Sequence, residues 1–130
     1  MATILMVDDE PLIGQLTKIS LSRLGHEVLV ATRGVAGLEL VRQIHPPLVI
    51  LDLVLPDSEG LDILKQIHEI APKTAVVIFT AWGSESIERK ASSLGASAFI
   101  EKGRTPGLLR STVARILDTQ AAAPSSNESR

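Results

Sequence analysis

Short apolar runs recur along the chain at near-regular intervals, each stopped by acidic or turn-forming residues. Thr3-Ile4-Leu5-Met6-Val7 halts at Asp8-Asp9-Glu10-Pro11. Its length and β-rich content suit a strand buried on both faces. Pro11 suits the first turn of a helix. Leu12, Leu16 and Ile19 then share one helical stripe, flanked by Ile13 and Ser20, and Gly25 is the expected C-terminal cap. Glu27 to Ala31 reads as a second strand. Gly34 to Ile44 reads as a second helix with Gly37, Leu40, Val41 and Ile44 on one face, ended by Pro46-Pro47.

Leu48 to Leu51 is a third apolar run, and it ends on Asp52. Pro56 cannot continue a central ladder, so 56–60 is a loop and Leu61 to Ile70 a third helix, with Leu64, Ile67 and Ala71 on its stripe. Ala75 to Thr80 is a fourth buried strand, followed by the turn Ala81-Trp82-Gly83. Ser84 caps a fourth helix to about Leu94, with Glu85 or Glu88 near its positive end. This helix carries only Ile87, Ala91 and Leu94 inward and is expected to be the least stable. Ala98-Phe99-Ile100 is a fifth strand, ending at Glu101-Lys102. Thr105 caps a last helix from Pro106 to about Asp118, with Leu109, Val113 and Ile116 inward. Strands alternating with helices imply a parallel sheet covered on both faces, an α/β fold. Residues 119–130 show no apolar pattern and read as a disordered tail or linker after a folded domain over 1–118.

Composition narrows the picture by exclusion. The chain has 130 residues, 45% hydrophobic and 22% charged, which suits one ordinary globular domain. It has no cysteine, so disulfides and thiolate metal sites are excluded. A net charge of −2 predicts no direct nucleic-acid partner and no membrane surface. No apolar run nears the roughly 20 residues of a bilayer span, and Met1 to Glu10 lacks a signal peptide's basic start. The expected location is cytoplasmic. Aromatics are only 2%, so base- or flavin-stacking platforms are not expected.

The chemistry lies at the ends of the runs. An ionised Asp52 inside an apolar stretch is expensive to bury without a partner. In a parallel sheet, ligands bind beyond the carboxyl ends of the strands. Those ends carry Asp8 and Asp9, Asp52, Thr80 and Lys102. Crowded carboxylates raise one another's pKa unless a cation intervenes, and Mg2+ accepts a few carboxylates together with water and phosphate oxygens. A carboxylate can itself attack phosphorus. The set reads as Mg2+-assisted phosphoryl transfer onto Asp52.

Val7-Asp8-Asp9, Leu51-Asp52-Leu53-Val54-Leu55-Pro56, Gly60, Thr80-Ala81, Gly95-Ala96 and Phe99-Ile100-Glu101-Lys102 together resemble the receiver domain of a two-component response regulator, of the single-domain, chemotaxis-regulator-like kind. The resemblance covers about residues 3–118. It implies a flavodoxin-like (βα)5 fold in three αβα layers, with five parallel strands in the order 2-1-3-4-5. It implies Asp52 as phosphoacceptor, with Mg2+ held by Asp9, Asp52 and the Val54 backbone carbonyl, and by Asp8 through water. Lys102, Thr80 and Ala81 would meet the phosphoryl group, and Phe99 would swing inward as Thr80 moves. The phosphoryl donor would be a sensor histidine kinase or phosphotransfer protein. The surface of the fourth helix, fifth strand and fifth helix would act on a downstream protein target, and a phosphorylation-dependent homodimer is a further expectation. The chain would catalyse its own phosphorylation and dephosphorylation without turning over a separate substrate.

The chain departs from the family at Gly103, where proline usually follows the lysine, often through a cis bond. The Lys102–Gly103 peptide is therefore expected to be trans or strained. Val54 and Trp82 stand two residues beyond Asp52 and Thr80, where they would flank the phosphoryl group. As an apolar pair they would tune its lifetime by excluding water, or form a partner contact. A Mg2+-dependent aspartyl-phosphate phosphatase is an alternative, but it would want a second carboxylate where Val54 stands. A non-phosphorylated adaptor is another, and Asp9, Asp52, Thr80 and Lys102 together argue against it. His26, His45 and His68 lack metal-ligand spacing. The residues after Asp118 leave room for no output module, so the chain is read as a single-domain regulator or as the receiver part of a longer protein.

Overall fold

The computed structural model describes residues 2–103 and 107–122. Ten elements alternate: β1 (Thr3–Val7), α1 (Pro11–Ser22), β2 (Glu27–Ala31), α2 (Gly34–Ile44), β3 (Leu48–Leu51), α3 (Gly60–Ile70), β4 (Ala75–Thr80), α4 (Glu85–Ser93), β5 (Ala98–Glu101) and α5 (Leu108–Ala122). The strands form one parallel sheet in the order β2-β1-β3-β4-β5, the flavodoxin-like arrangement expected. Strand alternation sends Leu5, Val7, Val49, Leu51, Val76 and Ile78 into one apolar layer, shared with α2, α3 and α4. Ile4, Met6, Leu48, Ile50, Val77 and Ile100 enter the opposite layer with α1 and α5. Every residue of β3 is buried, as its unbroken apolar run requires.

The face of α3 follows the sequence, with Leu64, Ile67 and Ala71 all buried, but α1, α2 and α4 depart from it. Leu12, Leu16 and Ile19 do form a stripe, but it faces solvent at 63%, 55% and 53% exposure. The buried side is Gly14, Thr17 and Leu21. A Cβ at Gly14 would lie 3.3 Å from Val30 Cγ1, so this position lets the helix settle close to β2. In α2, Ile44 at the end of its expected stripe is exposed, while Gly34 and Leu38 are buried. In α4 only Ala91 is buried, and Ser84 caps the helix by accepting the Ile87 N–H at 3.1 Å. Helix α1 ends before Arg23, and Gly25, at φ +88°, forms the turn that follows.

Helix α5 runs past the expected end at Asp118 to Ala122. Alanine favours the helix, and the Gln120 side chain anchors this last turn by donating to the Pro47 carbonyl at 2.9 Å. Residues 119–122 therefore belong to α5 and not to the expected tail; the rest of that stretch, 123–130, lies outside the described residues, as do the Thr105 cap and Pro106. The Lys102–Gly103 peptide is trans, as are the others among the described residues. No described helix is long and apolar enough to cross a membrane.

Candidate functional site

The sheet fixes the site through its backbone. The ladder continues one residue beyond three strands: Asp8 N–H donates to the Ala31 carbonyl at 3.0 Å, Asp52 N–H to the Val7 carbonyl at 3.0 Å, and Lys102 N–H to the Thr80 carbonyl at 2.8 Å. Asp8, Asp52 and Lys102 thereby leave the same carboxyl-end rim with their main chains pinned. Lys102 Nζ then sits 2.7 Å from Asp8 Oδ2, 2.7 Å from Glu10 Oε1 and 2.9 Å from Asp52 Oδ2. Asp8 and Asp52 are both buried, so their pairs with Lys102 are little screened by solvent, whereas Glu10 is exposed. The ammonium also lies 5.7 Å from the centre of the Phe79 ring.

Each aspartate has one oxygen set by local backbone. Glu10 N–H donates to Asp8 Oδ1 at 2.9 Å, and Val54 N–H donates to Asp52 Oδ1 at 3.2 Å. Asp8 Oδ2 is buried, and its neutralising partner is the Lys102 ammonium at 2.7 Å. Burial pushes the Asp8 carboxyl above its ordinary value, an effect that the Lys102 contact only partly offsets. Burial also acts to lower the Lys102 pKa, but Asp8, Glu10 and Asp52 together outweigh it and hold the ammonium above the usual lysine value.

Asp8, Glu10 and Asp52 each present an oxygen within 4.8 Å of the others, a group able to hold a metal ion. All donors are hard oxygens, and two of the three carboxylates, Asp8 and Asp52, are buried. The set thus fits a hard divalent cation. Asp9 is exposed and stands outside this group. Glu10 stands inside it, unflagged by the sequence reading except as part of the acidic stop after β1. The signal was its spacing: two residues after Asp8, it turns back over the same rim.

Thr80 is fully buried, and its hydroxyl accepts the Trp82 N–H at 3.4 Å rather than joining the ion pairs. Ala81 is exposed in the turn above it. Phe99 is half-buried, with its ring against Gly83 in the β4–α4 loop. Val54 and Trp82 are both exposed, Trp82 at 71%.

The loop carrying Asp52 to Gly60 is braced at two points. Gly60 N–H donates to the Leu53 carbonyl at 2.9 Å, and a Cβ at Gly60 would fall 2.3 Å from Leu53 Cα and 2.7 Å from the Asp52 carbonyl. Only glycine permits that approach. Asp57 accepts the N–H groups of Gly34 at 2.8 Å and Val35 at 3.1 Å, capping α2 from the neighbouring loop. Those two donors hold its carboxyl below the ordinary aspartate value. Sequence reasoning missed this brace, because a cap supplied from 22 or 23 residues away leaves no local motif.

Comparison with known proteins agrees with this arrangement. The model of the response regulator receiver domain matches residues 4–114. Chemotaxis protein CheY of Thermotoga maritima is 30% identical over 104 residues, covering 79% of this chain and 87% of that protein. The alkaline phosphatase synthesis transcriptional regulatory protein PhoP of Bacillus subtilis is 32% identical over 95% of this chain, which spans about half, 52%, of that relative's length. A CheY-like response regulator receiver domain protein from Methanospirillum hungatei JF-1 superposes with a TM-score of 0.88 at 30% identity, over 93% of this chain and 97% of its own. With the fold, the strand order and the acidic rim all in place, the chain belongs to the response regulator receiver domain family.

Proposed function

We propose that this chain is a phosphorylation-operated signalling switch that takes a phosphoryl group on Asp52. The observation that carries this reading is the Lys102 ammonium held between Asp8 and Asp52 at the carboxyl-end rim. An Asp52 carboxylate oxygen attacks the phosphorus of a phosphohistidine donor; the new O–P bond forms as the N–P bond to imidazole breaks. Lys102 neutralises a phosphoryl oxygen, and the Thr80 hydroxyl donates to another after leaving Trp82 N–H. The residues that would hold Mg2+ are Asp52, Asp9 and the Val54 carbonyl, with Asp8 acting through water, the set that family membership implies. Bound there, Mg2+ supplies charge neutralisation for the transferring group. No separate substrate is turned over in this reading.

The exposed apolar stripe of α1 supports a docking face for the donor. It begins at Leu12, two residues from Glu10, and leads from the acidic rim down the helix. A helical donor surface with complementary apolar residues would seat there and bring its phosphohistidine to Asp52. Outward signalling falls to the opposite side. Helix α4 is anchored by one buried residue, and Thr80 and Phe99 lie beneath its leading loop. Withdrawing the Thr80 hydroxyl toward the phosphoryl group, with Phe99 filling the space, shifts that weakly held surface, and exposed Trp82 is the anchor for a protein target. The test adds Mg2+ and beryllofluoride to wild type and to Asp52→Asn while following Trp82 fluorescence. A saturable change in the wild type alone is expected; the same change in Asp52→Asn refutes the assignment.

A further inference from the structure

Helix α2 starts without a cap of its own. Arg33 stands at its N-cap position in extended backbone and makes no side-chain cap hydrogen bond, although the first N–H groups of a helix have no partner within it. The Asp57 carboxylate supplies that partner from outside, with Oδ1 on the Gly34 N–H and Oδ2 on the Val35 N–H. A cap placed at Arg33 would serve α2 equally well. A cap placed at Asp57 also ties down the loop that leaves Asp52.

That loop is a small hairpin. Val54 and Glu59 form an antiparallel bridge, and Gly60 N–H donates to the Leu53 carbonyl at 2.9 Å. Its tip lies directly on the first residue of α2: a Cβ at Gly34 would fall 2.6 Å from Ser58 Oγ and 2.9 Å from Ser58 Cβ. One turn further on, α2 is seated just as closely on β1, where a Cβ at Gly37 would fall 2.7 Å from Val7 Cγ2. The Val7 carbonyl also accepts the Asp52 N–H at 3.0 Å. Both ends of the segment 52–57 are thus referred to one fixed residue. At the near end Asp52 hangs from Val7 itself; at the far end Asp57 is held by a helix that rests on Val7. Val54 lies between the two anchors, with its N–H on Asp52 Oδ1 at 3.2 Å.

We propose that Asp57 is a positioning residue for the metal: by clasping the hairpin tip to α2 it holds the Val54 main chain, and with it the carbonyl that would meet Mg2+, in register with Asp52. The proposal rests on the phosphoacceptor reading of Asp52 above. Asp57 acts only through backbone, since both its oxygens are taken by α2. Without the clasp, the exposed loop regains conformational freedom, and the ordering of Val54 must be supplied when the cation binds.

The experiment separates the clasp from plain helix capping. Mg2+ affinity is measured by titration calorimetry on the full chain for wild type, Asp57→Ala, Asp57→Asn and Asp57→Ala/Arg33→Ser, in which the serine gives α2 a cap on its own residue. Asp57→Ala should weaken Mg2+ by about tenfold, as removing residues that orient metal ligands does. Asp57→Asn keeps one acceptor oxygen and should lose less. The double variant should regain thermal stability without regaining Mg2+ affinity. Unchanged affinity in Asp57→Ala, or affinity that recovers in step with stability in the double variant, overturns the proposal. Amide hydrogen exchange in the absence of metal is the second readout. In Asp57→Ala the Val54 and Gly60 amides should lose protection while the Asp52 amide, bonded to Val7, keeps it. A loss confined to the first turn of α2, or spread equally to the Asp52 amide, also overturns the clasp. A wild type that binds no Mg2+ would instead overturn the phosphoacceptor reading, and the amide comparison would still decide whether Asp57 holds the loop.

Discussion

Replacing Gly60 with Ala puts the backbone geometry of the site to a quantitative test. The added Cβ would lie 2.3 Å from Leu53 Cα, 2.7 Å from the Asp52 carbonyl oxygen and 2.8 Å from Leu53 C. Real Cβ contacts essentially never fall below 3.0 Å, and all three neighbours are main chain, so no side chain can yield. Overpacking of this kind costs about 1–3 kcal/mol, and three backbone clashes place it near the upper end. The opposing gain from helix propensity is at most about 1 kcal/mol, and smaller here because Gly60 is the first residue of α3. The expected destabilisation is about 2–3 kcal/mol, a shift of roughly 1–2 M in the urea midpoint at unchanged slope. Gly25→Ala is the control: it has positive φ but no atom within 4 Å, and should cost only about 1 kcal/mol. Functionally, the Leu53–Val54 backbone should move, and phosphorylation of folded Gly60→Ala by acetyl phosphate should slow while Gly25→Ala keeps the wild-type rate. If Gly60→Ala is no more destabilising than Gly25→Ala, or phosphorylates at the wild-type rate, the close approach does not position Asp52.

The remaining expectations concern charge and surface. Lys102 has a pKa raised above 10.5 in the fold, so its contribution is fully present below about pH 10.5 and is lost as pH rises through the folded value. Lys102→Met, measured by urea unfolding without metal, should be destabilised by about 3 kcal/mol or more at neutral pH, with the gap from wild type narrowing in strong alkali; a pH-independent gap contradicts the ion-pair account. Asp57 has a pKa lowered from 3.8, so its contribution holds above that value and disappears as pH falls through the lower folded one. Thermal unfolding should find Asp57→Asn less stable than wild type at neutral pH and equal to it in strong acid. Leu16→Glu should leave stability within about 0.5 kcal/mol and leave acetyl phosphate kinetics unchanged, yet slow transfer from a phosphohistidine protein. Equal slowing with both donors would remove α1 as the docking face. Trp82→Ala should likewise leave stability within about 0.5 kcal/mol, and a clear loss in urea unfolding would show that Trp82 is part of the fold instead.

Most of the fold was legible because buried parallel strands are unbroken apolar runs. The bounds of β1, β2, β3 and β4 fall where the runs stop, at Val7, Ala31, Leu51 and Thr80. The gathering of Asp8, Asp52 and Lys102 followed from topology, since strand ends of a parallel sheet share one rim. The face of α1 was not legible: Leu12, Leu16 and Ile19 have the spacing of a core stripe, and periodicity cannot distinguish a stripe made for the core from one left for a partner. Small Gly14 against Val30 decides the matter, and that contact spans two elements. Glu10 escaped notice because its role depends on a lysine distant in sequence, and Asp57 because its cap serves a helix that precedes it by more than 20 residues. The end of α5 is not legible in the sequence, because its last turn is held by Gln120 on Pro47, a tertiary hydrogen bond, rather than by an apolar stripe.

Every role assigned at the rim depends on Asp52 carrying the phosphoryl group. Intact-mass measurement after incubation with acetyl phosphate, with and without Mg2+, addresses this in wild type and Asp52→Asn. The wild type should gain the mass of one phosphoryl group only when Mg2+ is present, and Asp52→Asn should gain none. An unmodified wild type under these conditions, or an Asp52→Asn protein that is modified equally, contradicts it.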